Sequence, residues 1–425
     1  MSTNTKLTRV ADNIRILSAA MVEKAKSGHP GGAMGGADFV TVLYAEFLRY
    51  DPDNMAYPYR DRFFLDPGHM SPMLYSVLSL AGFYSTEDLK SLRQWGSVTP
   101  GHPEVDVLRG VENTSGPLGQ GHAMALGAAI AERFLAARFG EWMAHRTYAY
   151  ISDGAVEEEI SQGVGRIAGH LGLSNLVMYY DANNIQLSTK VDEVDTENVA
   201  MKYEAWGWNV LKIDGHNINE IREALVAAQS EMERPTLIIG RTVMGKGAVG
   251  PDGASYEDRV STHGQPLSSA GADFAATVRN LGGDPDDPFA VFEQSREVFA
   301  ERREALRAGA AEQAGRHGGR TALVFEAYAE PRLNARAGAG FDAAFAWPGG
   351  SSLEGFAAAQ PEGTVFVAQG ALLAERLRRM TAAAVLSMCP QGDIEVNARL
   401  KARTTADLVV DTICGQPPSE HDVLI

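Results

Sequence analysis

Residues 146–184, RTYAYISDGAVEEEISQGVGRIAGHLGLSNLVMYYDANN, decide the fold. An apolar run, RTYAYISDG, reads as a strand and turn; EEEISQGVGRIAGHLG carries helical periodicity; NLVMYYDANN is a second strand and turn. A strand, a helix and a strand in that order make a crossover unit, so the two strands are parallel. The same grammar continues downstream, where WNVLKIDGH reads as strand, NEIREALVAAQSE as helix and PTLIIGRTVMGKG as strand. Upstream, RFFLDPGHMSPMLYSVLSL is a strand, a break carrying His69, and a helix with Ser71 as its N-cap and Pro72 at its first position. The expectation is an α/β fold: a doubly wound, mostly parallel sheet with helices on both faces and ligands at the carboxyl ends of the strands.

Toward the N-terminus, Val10, Ile14, Leu17, Met21 and Ala25 recur at steps of three and four, one apolar stripe on a helix that stops among Lys24, Lys26 and Gly28. Helical patterning resumes with Phe39, Val42, Leu43 and Phe47. Residues 27–36, SGHPGGAMGG, are therefore expected to be a glycine-rich connection that presents His29. Residues 99–121, TPGHPEVDVLRGVENTSGPLGQG, form a long polar loop carrying His102, followed by an alanine-rich helix.

The 425 residues suffice for two or three domains, and a 45% hydrophobic content is that of a globular protein. A net charge of -16 argues against a nucleic-acid or anionic-membrane partner, whose electrostatic footprint is basic. Only Cys389 and Cys414 are present, so neither a disulfide framework nor a zinc spacing is on offer. The start has no apolar signal core, and no stretch approaches the roughly eighteen apolar residues of a membrane span, so a cytoplasmic location is expected. Composition shifts near residue 310 toward Ala, Gly and Arg with weak periodicity. The expected organisation is one domain over 1–310 and a divergent region over 311–425, to which no fold is assigned.

Two constellations carry chemistry. His29, His69, His102 and His263 each sit in a loop bounded by glycine or proline, and imidazole exchanges protons with hydroxyls near neutral pH. A lone loop histidine is ordinarily a surface residue; four such loops together favour a site. Asp153 and Asn183 end successive strands of one crossover unit, so both reach the same crevice above the sheet. As turn residues they need no further explanation. As a pair they offer a carboxylate and an amide oxygen, to which a main-chain carbonyl near Ile185 adds a third ligand for magnesium and a phosphate-bearing molecule. The glycines of SGPLGQG, lying before a helix, expose amides suited to an anion. A dinucleotide fingerprint in good form is absent, which disfavours a dehydrogenase.

The stretches KAKSGHPGGAMGGAD, RDRFFLDPGHMSPMLYS, TPGHPEVDVLRGVENTSGPLGQG, SDG with DANNIQ, and STHGQPL, in this order, resemble the first domain of the transketolase family, from near residue 7 to near 310. The resemblance implies thiamine diphosphate with Mg2+ (or Ca2+ or Mn2+) as cofactors, and transfer of a two-carbon ketol unit from a ketose phosphate to an aldose phosphate in the pentose phosphate pathway. It implies Asp153, Asn183 and the Ile185 carbonyl as metal ligands. His69, Gly116, Leu118 and Gly154 would line the cofactor together with Asp153 and Asn183. His29, His102 and His263 would face the sugar. Glu158 falls where the family keeps a glutamate between two subunits, and Lys246 is a candidate phosphate neighbour or a solvated surface lysine. Ser152 replaces a glycine frequent in the family. In 311–425 neither the family's pyrimidine-binding segment with its activating glutamate nor the sugar-phosphate arginines is recognisable. The implied partner is a second copy or a chain that carries the pyrimidine domain. The alternatives are a non-catalytic or truncated cofactor-binding module, and a related thiamine enzyme such as a deoxyxylulose phosphate synthase.

Overall fold

A computed structural model describes residues 2–55, 59–139, 141–317, 321–326, 343–347, 352–360, 365–369 and 385–388. Contacts divide the chain into one compact unit that runs to Ala310 and a second that begins at Ala311. In the first unit, strands β1 (Arg62–Leu65), β2 (Thr147–Ser152), β3 (Leu176–Ala182), β4 (Asn209–Asp214) and β5 (Thr236–Arg241) form one sheet in the order β1-β2-β3-β5-β4. Every pairing is parallel. β2 is buried at every position and β3 at all but the last, because helices cover both faces. That burial is why both read as continuous apolar runs, whereas β4, at the sheet edge, is half-exposed.

Register places the site. Leu65 pairs with Tyr150 and Ser152 with Asp181, so Asp66, Asp153 and Asn183 leave adjacent strands at one carboxyl edge.

Helix α1 (Thr3–Ala25) carries the expected stripe but is buried almost all round from Val10 to Val22. Its polar residues are paired accordingly: Asn13 Nδ2 donates to the Ala290 carbonyl at 2.9 Å, Arg15 Nε to that of Met34 at 3.1 Å, and Ser18 shares a hydrogen bond with Ser76 at 3.2 Å. The helix ends where Lys26 turns left-handed (φ 55°) and Gly28 follows at φ 138°.

The segment after it corrects the expectation of a connection: Pro30–Gly35 is itself a helix, α2, wholly buried, with His29 at its N-cap and proline in its first turn. Only Gly28 here needs an unusual backbone angle. The others permit close approach. A Cβ on Gly31 would lie 2.6 Å from the Thr262 carbonyl oxygen, and one on Gly35 3.0 Å from that of Val243. Gly31→Ala is expected to lower stability by about 1–3 kcal/mol through overpacking and to displace His263, next to Thr262. A urea midpoint unchanged from that of the parent would contradict this packing.

Helix α3 (Ala37–Val42) continues through one π-turn to Phe47. Helix α4 (Ser71–Ala81) has Met70 rather than Ser71 at its N-cap, because the preceding short turn Gly68–Met70 supplies its first carbonyls. Helix α5 (Thr86–Lys90) is closed by a reciprocal Ser85–Asp88 capping box. The long helix α6 (Gln120–Phe139) precedes β2, while α7 (Asp153–Glu157) and α8 (Glu159–Leu171) fill the crossover to β3.

In the second unit, β6 (Thr321–Glu326), β7 (Ala343–Trp347), β8 (Val365–Gln369) and β9 (Val385–Met388) form a parallel sheet in the order β7-β6-β8-β9, with a helix at Ser352–Ala358. This region, left without a fold on weak periodicity, holds short apolar runs whose pattern is that of parallel strands rather than of alternation. Much of 311–425, where no pyrimidine-binding segment is recognisable, lies outside the described residues, Cys389 and Cys414 included. Among the described residues, no helix is long and apolar enough to cross a membrane.

Candidate functional site

Three of the four loop histidines converge. The rings of His29 and His69 are 4.9 Å apart, those of His29 and His263 5.6 Å, and those of His69 and His263 5.4 Å. Burial pulls His29 and His263 down to about 4, and carries His69 well below its ordinary value, reinforced by His29 and His263. All three are uncharged at neutral pH, each with one N–H and one lone pair. The Nδ1 atoms of His29 and His263 are buried with no protein partner, polar groups that the fold itself leaves over. His102 stands apart on an exposed turn; its pKa is lowered by burial and then by Arg93.

Asp153 begins α7 and is 3% exposed. Its Oδ1 accepts from the Tyr180 hydroxyl at 2.5 Å, and its Oδ2 from the main-chain N–H groups of Asn183 at 3.2 Å and Asn184 at 3.0 Å. Burial raises its pKa to about 7 against those hydrogen bonds. The Asn183 side-chain oxygen accepts from the Ile185 N–H at 3.0 Å, which fixes the turn that joins the two residues. Asn184, next in the turn, is left-handed, at φ 62°. Among the described residues no group of three His, Cys, Asp or Glu side chains is arranged to hold a metal. The donor set here is one carboxylate, one amide and main-chain carbonyls, the oxygen chemistry of a hard divalent cation.

The loop before α6 joins the two clusters. Asn113 and Ser115 both hydrogen-bond the Leu65 carbonyl at the end of β1. A Cβ on Gly68 would meet the Ser115 backbone at 3.0 Å and the Gly116 nitrogen at 3.1 Å, so the turn carrying His69 lies directly on this loop. A Cβ on Gly154 would sit 3.2 Å from Leu118, whereas one on Gly116 would meet nothing within 4 Å. The loop thus touches the His69 turn at Ser115 and Gly116 and the start of α7 at Leu118. The expectation that the loop's glycine amides await an anion is corrected in part. Asp66 Oδ1 accepts from the Gly119 N–H at 3.0 Å and Oδ2 from that of His122 at 3.1 Å. Burial nonetheless raises Asp66 to about 6.

Lys246 pairs with Glu257 at 3.4 Å. Glu158 is exposed between α7 and α8, beside exposed Ile160. Asp66, Tyr180, Ser115 and Arg93 were not singled out by the sequence. Asp66 carried a legible signal, since it follows β1 as Asp153 follows β2.

The profile of a family described as "Transketolase, thiamine diphosphate binding domain" matches residues 6–330. Transketolase 1 of Escherichia coli (strain K12) is 43% identical over 298 residues, which cover 69% of this chain and 43% of that protein. The transketolase of Geobacillus stearothermophilus is 46% identical over 262 residues, covering 60% and 38%. The chain thus spans less than half the length of these curated relatives. Among solved structures, the transketolase of Campylobacter jejuni aligns at a TM-score of 0.68 and 28% identity over 95% of this chain and 68% of that one. A Pichia stipitis transketolase variant in complex with fructose 6-phosphate aligns at 0.68 and 31% over 73% and 46%.

Proposed function

The chain belongs to the transketolase family through its thiamine diphosphate-binding domain, and from that premise we propose that it serves transfer of a two-carbon ketol unit between sugar phosphates. The observation that carries this reading is the meeting of three neutral histidines, one on a turn packed against the Gly116–Leu118 loop, which also touches Gly154 beside the buried Asp153–Asn183 turn. The residues fit the implied groups. Asp153, the Asn183 amide oxygen and the Ile185 carbonyl would hold magnesium, a cation that takes few protein oxygens and completes its shell with phosphate and water. Gly116, Leu118, Gly154 and His69 would line the diphosphate and thiazolium.

When bound, thiamine diphosphate supplies the electron sink for breaking the bond beside a ketose carbonyl. The chain's own residues orient the sugar and move protons. Neutral His29 and His263 each present a buried, unpartnered Nδ1, and His102 lies on the exposed side; these are the groups suited to hold or accept hydroxyl protons at neutral pH. Exposed Met124, Ile160 and Leu187 form apolar surface on the elements that carry the site. They favour a partner that closes it, either a second copy or a chain with the pyrimidine domain. The same reading assigns the protein to the pentose phosphate pathway in the cytoplasm.

Two measurements test it. Calorimetry with thiamine diphosphate is expected to show binding that requires magnesium. A coupled assay on xylulose 5-phosphate and ribose 5-phosphate, set against pyruvate, is expected to show turnover on the sugars once a pyrimidine domain is supplied. Binding that ignores magnesium, or turnover of pyruvate alone, would overturn the reading.

A further inference from the structure

Arg93 follows α5 in a left-handed conformation (φ 60°), one of four non-glycine residues with positive φ among the described residues. Its N–H donates to the Thr99 carbonyl at 3.0 Å, and the Thr99 hydroxyl donates to the Asp88 carbonyl at 2.8 Å, so residues 93–99 close on themselves against α5. This unfavourable backbone angle aims the guanidinium at two loops. Nη1 donates to the Ser27 hydroxyl at 2.8 Å, two residues before His29. A Cβ on Gly101 would lie 2.7 Å from Arg93 Nε and 3.0 Å from Cζ, so the Arg93 side chain packs against the residue just before His102. That second loop is anchored from α4, where Ser71 donates to the Gly101 carbonyl at 2.8 Å and Tyr75 to that of Pro100 at 2.9 Å. Arg93 and His102 line one cavity of about 820 Å3, together with Tyr84, Glu104 and the fully exposed Trp95.

We propose that Arg93 is a positioning residue that clasps the His29 loop to the His102 loop and keeps a fixed positive charge beside the histidine cluster. The role is electrostatic as well as steric. The groups that act on His29 are His263, Arg93 and His102; on His69, His29, His263, His102 and Arg93; on His102, Arg93. In each case Arg93 opposes a second positive charge and so favours the uncharged ring. Lysine would keep the charge but lose the planar group that reaches Ser27 from its packing against Gly101.

The assignment of these histidines to a sugar rests on the function proposed above. The clasp itself is tested on the full chain without cofactor or substrate, so the two fail separately. Histidine ring resonances are followed against pH in the parent, Arg93→Met, Arg93→Lys and Ser27→Ala. In Arg93→Met the titration midpoints of His29, His69 and His102 are expected to rise, while His122, lowered by burial alone, stays in place and reports an intact fold. Arg93→Lys is expected to keep the midpoints near those of the parent. Both Arg93→Lys and Ser27→Ala are expected to broaden or shift the His29 resonances as the Ser27 contact is lost. Should Arg93→Met fail to fold, the Lys and Ala variants decide. Unmoved midpoints in Arg93→Met, or His29 resonances unchanged in both other variants, would overturn the proposal.

Discussion

Asp153→Ala is expected to lower magnesium-dependent affinity for thiamine diphosphate at least about 100-fold in calorimetry, more than the 10–100-fold typical of losing a residue that merely supports a ligand. The carboxylate is the one charged oxygen donor in the turn, and a neutral amide and carbonyl alone are a poor match for a divalent cation. The same change strips an acceptor from the Tyr180 hydroxyl and from the Asn183 and Asn184 N–H groups, a cost of about 1–3 kcal/mol for a buried donor left unmet. Asp153→Asn separates the two effects in large part: its one amide oxygen still accepts from the Asn183 and Asn184 N–H groups, while its NH2 faces the Tyr180 oxygen, which accepts in place of donating. It is expected to lose the magnesium dependence and still melt near the parent temperature. Binding that survives in both variants would sink the metal assignment.

The second large effect concerns pH and stability. His122 on α6 is fully buried, and its Nδ1 lies 2.6 Å from the Ser161 hydroxyl, whose own proton goes to the Ala155 carbonyl. Ser161 can therefore only accept, so Nδ1 carries the ring proton and Nε2 keeps a lone pair, buried with no partner. Burial depresses this histidine to about 3. The unfolded chain takes up a proton below pH 6.5 that the folded chain refuses. Stability is thus complete above pH 6.5 and falls as the pH drops, by about 3 kcal/mol at pH 4 from this residue. Asp66 and Asp153, both raised by burial, act in the opposite direction over an overlapping range. The contribution of His122 is therefore read as a difference. Urea unfolding of parent and His122→Gln at pH 7 and pH 4 should show the variant gaining about 3 kcal/mol relative to the parent on acidification. A pH-independent gap would mean the ring is charged or hydrated.

What the sequence disclosed follows from the range of the contacts involved. β2 and β3 were legible because strands covered on both faces must be apolar at successive positions, and the meeting of Asp153 and Asn183 was legible because they end successive parallel strands. The three histidines that meet were legible as loop residues, but their meeting depends on Thr262 and Gly31 packing backbone to backbone across 231 positions of chain. Helix α2 was misread because glycine signals a break locally, whereas here glycines let a helix be gripped from several sides. The pairings of Arg93 and Asp66, though not the strand-end place of Asp66, escaped notice for a related reason. Their partners, Ser27 and Gly119, lie 66 and 53 residues away, and no local pattern encodes such pairs.

Asp66 has a wider consequence. By occupying amides at the start of α6, it neutralises in advance the helix terminus that follows the Gly116–Leu118 loop. On the proposed reading, the countercharge for the cofactor must then arrive from solution as a cation at Asp153. The domain would work as a coincidence gate, holding the organic cofactor only when the inorganic one is present, and shedding both when magnesium is withdrawn.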